Sequence, residues 1–203
     1  MILLLLAAGR GRRMKKYTDD INKCLLPVNG IPIIYYSLKK AEELSITKAI
    51  IVVGYQADKV KTAILQETWP FPIQFVYQEE QMGIVHAMQK ALPLVNENED
   101  ILLNLGDEIL IGSNISNMIS DFYRYNPDFV CGAIYNCSIQ QIQKAYSITL
   151  DFKNHITKVL EKPLTSDNGI CGTGYCANYV QTECQFRYCG TAIPFLTVRS
   201  TAR

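Results

Sequence analysis

No surplus of either charge runs through this sequence: 20 lysines and arginines stand against 19 aspartates and glutamates, a net charge of +1. A chain so balanced carries no global field for nucleic acid or an anionic membrane, so any anion must be held by a local site. Metal-ligand patterns are equally scarce. The seven cysteines contain no CxxC, and His86 and His155 lie far from them in sequence, which disfavours a zinc centre. An odd, widely spaced set with no secretory signal predicts free thiols in a reducing compartment. The N-terminal apolar run is too short to span a bilayer and lacks the leading basic segment of a signal peptide. Internal repeats, low-complexity tracts and a clear linker are missing too. These absences predict a soluble, cytoplasmic protein of one domain over residues 1–203, with no nucleic-acid or membrane partner.

What is present is a core and a rhythm. Hydrophobic residues make up 48% of the 203 and charged residues 19%, ordinary values for a globular chain. Apolar runs such as ILLLLAA, KAIIVVGY, IQFVYQ, DILLNL and DFVCGAI alternate with amphipathic stretches. In Ile31–Leu44, Pro32 suits a first helical turn, and Ile34, Leu38 and Ala41 then share a face; Val60, Ala63 and Ile64 do the same further on. Short continuous strands rich in Ile, Leu and Val belong to parallel sheets covered on both faces. The predicted class is α/β: a doubly wound, mostly parallel, Rossmann-like sheet with helices on both faces. From about Tyr146 the rhythm changes to short β segments, and the last twenty or so residues show no period.

The first strand runs straight into Gly9 and Gly11, followed by Arg12, Arg13, Lys15 and Lys16. Two glycines at a strand end let backbone N–H groups approach an anion with no Cβ in the way. A dinucleotide fingerprint would need a third glycine where Met14 stands, and a P-loop would need Gly-Lys followed by Ser or Thr. The loop is of neither kind. Taken alone, it is as well read as a tight turn with solvated cations.

It does not stand alone. LAAGRGRRM is followed by NKCLLPVNGIPII, then YQEEQMGIVHAM, NLGDEIL, VLEKP and GTGYCA. In this order, over roughly residues 2 to 180, the sequence resembles the sugar-1-phosphate nucleotidyltransferases, the nucleotide-sugar pyrophosphorylases. The resemblance implies a nucleotidyltransferase fold and a Mg2+-dependent reaction. In it a sugar 1-phosphate oxygen attacks the α-phosphorus of a nucleoside triphosphate and pyrophosphate leaves. It also implies roles. The segment Leu6, Ala7, Ala8, Gly9 and Gly11 would bind the nucleotide, with Arg13 on the departing pyrophosphate and Lys23 on the α-phosphate. Gln78 and Gly83 would meet the base, and Gly106 would lie against the nucleotide. Asp107 would bind the metal, with Glu108 beside it as an exposed neighbour. Glu161, Lys162 and Gly174 would meet the sugar and its phosphate.

Departures from the family pattern are specific. Arg12 stands where the family has Thr or Ser, and Asn22 replaces the proline before Lys23. Tyr146-Ser147 stands for Tyr-Gly, and no aspartate occurs after Asp167 to supply a second metal carboxylate. Against the family the chain ends early, and its end from about residue 178 is atypical, either divergent or truncated. Two alternatives therefore stay open: transfer to another phosphorylated alcohol such as phosphocholine, and a non-catalytic nucleotide-binding regulator. The segment TAIPFLTV is equally a homo-oligomer contact or a core strand.

Overall fold

Every residue of the first strand, β1 (Ile2–Ala7), is buried. A strand with no polar face needs cover above and below, and the rest of the chain supplies it. The computed structural model describes residues 1–109, 115–127, 129–143, 146–152, 156–161, 163–164 and 169–179; for Arg12, Arg13, Lys15, Glu161 and 173–179 the description is of backbone. After β1 come 3₁₀ turns at Arg12–Tyr17 and Lys23–Leu25, then a small hairpin of β2 (Pro27–Val28) and β3 (Ile31–Pro32). The chain continues through α1 (Ile33–Glu43), β4 (Ala49–Val53), α2 (Ala57–Leu65), β5 (Ile73–Tyr77), α3 (Ile84–Ala91) and β6 (Asp100–Leu105). Beyond them lie α4 (Ile115–Tyr125), β7 (Phe129–Ile134), α5 (Ile139–Ile142), β8 (Tyr146–Leu150), β9 (Ile156–Glu161) and β10 (Cys171–Tyr179).

Alternation along β1 sorts the core into two layers. Leu3, Leu5 and Ala7 pack with Ile34, Leu38 and Ala41 of α1 and Val60 and Ile64 of α2. Ile2, Leu4 and Leu6 pack on the other side with Ala87, Met88 and Ala91 of α3. The sheet is therefore sandwiched as the apolar runs predict, and those helical faces are the expected ones. Helix α1 starts two residues later than expected, because Ile31 and Pro32 pair with Val28 and Pro27 instead. Pro32, at φ −52° and ψ 135°, becomes its N-cap.

Four strands run parallel in the order β5-β4-β1-β6, with Leu5 between Ile51 and Asn104. Their carboxyl ends share one edge, where open α/β sheets bind ligands. The later strands join antiparallel. β10 lies against β6, with Cys176 opposite Leu103, and also against β7 and β8, while β9 pairs with β8. β7, grouped by composition with the parallel strands, is one of the antiparallel set. It is only half-buried, as suits a sheet with one solvated face.

The cysteine expectation needs one correction. Cys137 and Cys171 form a disulfide, with Cα atoms 6.4 Å apart, while Cys24 and Cys131 are free. The end of β7 and the start of β10 are sheet neighbours, Cys171 lying opposite Ile134, and that pairing brings the two thiols together. Among the described residues, no helix is long and apolar enough to cross a membrane.

Candidate active site

At the shared edge the strand exits are pressed together. Tyr55 N–H donates to Ala8 O (3.0 Å), Gln78 N–H to Val53 O (2.8 Å) and Gly106 N–H to Leu6 O (2.9 Å). Glycine is required where these exits touch. A Cβ on Gly54 would stand 2.9 Å from Ala8 O and 3.0 Å from Gln78 O, and one on Gly106 would stand 3.1 Å from Leu6 O. Leu6, Ala7 and Ala8 are buried, so this part of the nucleotide segment offers backbone rather than side chains.

The glycine loop opens from that edge. Nothing lies within 4 Å of a Cβ built on Gly9, which leaves open space there. Gly11 has φ +69°, and its missing Cβ makes room for Lys23, whose Cβ and Cδ would be 3.2 Å away. Thr18 Oγ1 donates to Gly11 O (3.1 Å). Arg12 and Arg13 lie on the 3₁₀ turn that follows.

Lys23 and Asp107 meet across the edge. The Lys23 ammonium is ion-paired with Asp107 Oδ2, the two side chains being 30% and 27% exposed. Immediately before Lys23, Asn22 is fully buried. Its Nδ2 donates to Ala7 O (3.0 Å) and Tyr55 O (2.7 Å), and its Oδ1 accepts from Cys24 N–H (2.9 Å). The Tyr55 hydroxyl donates toward the Thr18 and Asp19 carbonyls, and Arg10 lies over its ring at 5.2 Å. Close to this pair and beside Gly106, Cys24 is buried, and its thiol pKa is pushed up to about 12. Burial is the main cause; the Asp107 charge adds to it and Lys23 opposes it. Glu108, expected to be exposed, is half-buried, with its N–H bonded to Leu105 O (3.1 Å).

Beside β5 the chain builds a second polar cluster. Gln78 is buried, and its Nε2 donates to Gly83 O (3.2 Å) and lies 3.1 Å from His86 Nδ1. That ring nitrogen is also 3.0 Å from Glu80 O, so it accepts from the amide in one tautomer and donates to the carbonyl in the other. Gly83 takes φ +94°, a conformation open to glycine, and caps α3 beside open space. Gln81 Nε2 donates to Ala8 O (3.0 Å), tying this cluster back to the glycine loop.

Two of the residues expected at the sugar lie in the antiparallel half. Glu161 ends β9 opposite Tyr146, whose ring occupies the space a Cβ on Gly172 would need. Gly174 lies in β10, which runs antiparallel to β6 from Cys176 opposite Leu103, so the strand carries it toward the Gly106-Asp107 end. Lys162 lies outside the described residues, as does Asp167.

A glycine loop, a lysine and a strand-end aspartate thus converge on one edge of a doubly wound sheet. The family model for nucleotidyl transferases matches residues 2–183. The chain belongs to this family. Among its relatives, the nucleotidyl transferase named UTP–glucose-1-phosphate uridylyltransferase AglF of Haloferax volcanii is 28% identical over 96% of this chain and 77% of its own length. The bifunctional protein GlmU of Paraburkholderia phymatum is 35% identical over 60% of this chain, a match spanning a quarter of GlmU. Among solved structures, a UDP-glucose pyrophosphorylase complexed with UDP-glucose superposes with a TM-score of 0.73 at 21% identity, covering 88% of this chain and 76% of that one. A candidate glucose-1-phosphate thymidylyltransferase of Bacillus anthracis gives 0.78 at 22% identity, covering 88% and 71%. At such identities the structural likeness establishes the fold.

Three residues of this nucleotidyl transferase edge escaped the sequence reading. Asn22 registered only as a missing proline, Gln81 as one letter of a longer match, and Tyr55 not at all. The QEEQ run was the available signal for Gln81. For Asn22 and Tyr55 the signal is tertiary, since their partners are carbonyls distant in sequence.

Proposed function

We propose that this chain transfers a nucleotidyl group from a nucleoside triphosphate to a sugar 1-phosphate, releasing pyrophosphate. The observation that carries the reading is the convergence of Lys23 and Asp107 at the glycine loop, where Gly11 makes room for the lysine stem. A cation and a carboxylate held together at a strand edge, next to exposed backbone, suit a polyphosphate and its counter-ion. The names of the relatives favour UTP and glucose 1-phosphate as the first pair to test.

In-line displacement at phosphorus asks for alignment and charge stabilisation more than for a covalent group. Lys23 would leave Asp107 and hold the α-phosphate as negative charge builds on it. Arg13 would grip the pyrophosphate, where a planar fork of donors matches phosphate oxygens. Backbone from Leu6 to Gly11 and at Gly106 would line the nucleotide, with Gln78 and Gly83 on the base. Glu161, Lys162 and Gly174 would receive the sugar.

Mg2+ fits this donor set in one way. Among the described residues no group of three or more His, Cys, Asp or Glu is placed to hold a metal ion. Mg2+, however, is commonly bound by one or two carboxylates plus substrate phosphates, and the partly exposed Asp107 carboxylate offers that. When bound, the ion would neutralise phosphate charge. A cytoplasmic location and homo-oligomers belong to the same proposal.

The test is pyrophosphate release in the presence of Mg2+, crossing four triphosphates with several sugar 1-phosphates and phosphocholine, and with Lys23→Ala alongside. One Lys23-dependent pair establishes the activity. Triphosphate binding with no conversion of any acceptor would instead mark a regulatory homologue.

A further inference from the structure

We infer that Asn22 is a positioning residue for Lys23: its buried amide locks the base of the lysine to the ends of two parallel strands. The inference rests on the phosphate role proposed for Lys23, and it concerns how that role is prepared. Burying an amide is unfavourable unless its hydrogen-bonding groups are met. Asn22 has no exposed surface, and both hydrogens of its Nδ2 are engaged. The acceptors, Ala7 O and Tyr55 O, belong to the end of β1 and the turn after β4, neighbouring strands whose exits border the glycine loop. The remaining oxygen, Oδ1, caps the turn that begins at Lys23 by accepting from Cys24 N–H.

One side chain therefore joins three segments at the residue preceding the lysine. Lys23 is held at three points along its length. Asn22 fixes its backbone, the space left by Gly11 fits its Cβ and Cδ, and Asp107 holds its ammonium. A lysine side chain loses much rotamer freedom when it is held in one geometry, so fixing it before substrate arrives removes part of that cost from the reaction. The first two restraints survive when a triphosphate displaces Asp107 from the ammonium. Asn22 then governs where the lysine points during turnover, while its own side chain, fully buried, does not meet the nucleotide. It should affect kcat rather than nucleotide affinity.

The experiment compares wild type, Asn22→Ala, Asn22→Ser and Lys23→Ala. Pyrophosphate release from UTP and glucose 1-phosphate gives kcat and KM, and calorimetry gives the dissociation constant for UTP. Acetylation of Lys23 by acetic anhydride, read by peptide mass spectrometry against the exposed Lys39, reports the lysine without any turnover. In Asn22→Ala we expect kcat to fall about tenfold or more, with KM and the UTP dissociation constant within about threefold of wild type. Lys23 acetylation should rise relative to Lys39. Asn22→Ser should lie between, because its hydroxyl can still cap Cys24 N–H but cannot reach both strand ends. A folded Asn22→Ala that keeps kcat within about twofold and leaves Lys23 acetylation unchanged overturns the inference. If the alanine variant does not fold, the serine variant is judged by the same two readouts. If wild type shows no Lys23-dependent release, the proposed function falls, and the acetylation contrast alone decides the role of Asn22.

Discussion

The Lys23 ammonium is neutralised by the Asp107 carboxylate, although one residue follows the glycine loop and the other follows β6. The pair joins the two groups proposed to meet phosphate and metal, so each waits on the other until substrate separates them. Its stabilising effect is small. With both side chains about three-tenths exposed, the pair contributes under about 1 kcal/mol.

Function and stability should therefore separate at this pair. Lys23→Ala and Asp107→Asn should each lower kcat/KM by about a hundredfold or more while leaving the urea midpoint nearly unchanged. The double variant should lose less than the product of the single losses, because the groups act on one polyphosphate. Pyrophosphate-release kinetics and urea unfolding check both halves.

The two glycines of the loop should behave differently. Gly11→Ala forces a side chain into φ +69° and against the Lys23 stem, so it should cost about 1–3 kcal/mol of stability and lower kcat. Gly9→Ala meets nothing within 4 Å and should leave stability alone. Its added methyl stands where the polyphosphate would lie, so UTP binding should weaken. Unfolding curves and calorimetry on the two variants test the contrast.

Gly54 is constrained by packing. In Gly54→Ala the new methyl would face Ala8 O at 2.9 Å and Gln78 O at 3.0 Å, and both are backbone atoms with little freedom to retreat. Unfolding should show a loss of about 1–3 kcal/mol, and the strand exits on either side should spread. An effect on UTP affinity should accompany it, since the displaced atoms border the loop and the Gln78 cluster.

Cys24 gives the pH dependence. Its thiol is raised from the ordinary 9.0 to about 12 by burial first and by Asp107 second. Below pH 9.0 the thiol is protonated whether the chain is folded or not, and its contribution to stability is complete. As pH rises above 9.0 the unfolded chain ionises while the folded one does not, so stability falls across the window up to about 12. Urea unfolding over that alkaline range should show the decline, and Cys24→Ala should flatten it. At neutral pH Cys24 should resist iodoacetamide in the folded protein.

The legible part of this molecule is the part whose signals are local. β1 and β4 are uninterrupted apolar runs because both faces are covered, while β5 and β6 are apolar stretches broken by Gln74 and Asn104. The order of the four along the chain places Gly9, Gly11, Lys23, Gln78 and Asp107 on one edge. The antiparallel pairing of β7 and β10 was not visible, since a half-buried strand carrying a glycine has no strong period. The Cys137–Cys171 bridge depends on that same pairing across 34 residues. Asn22 was hardest of all. An asparagine in a loop is ordinary, and only the folded chain brings Ala7 O and Tyr55 O to its amide.

The antiparallel placement of β10 beside β6 also sets an order of assembly. The four parallel strands and their crossover helices are contiguous from Ile2 to Leu105, so this half can form while the later chain is still leaving the ribosome. Until Cys171–Tyr179 emerges, β6 lacks its second neighbour, and the flank beside Asp107 is a bare row of backbone donors and acceptors. The flank of β6 thus stays open until β10 arrives, and that interval is when a nascent copy is open to pairing with the wrong strand.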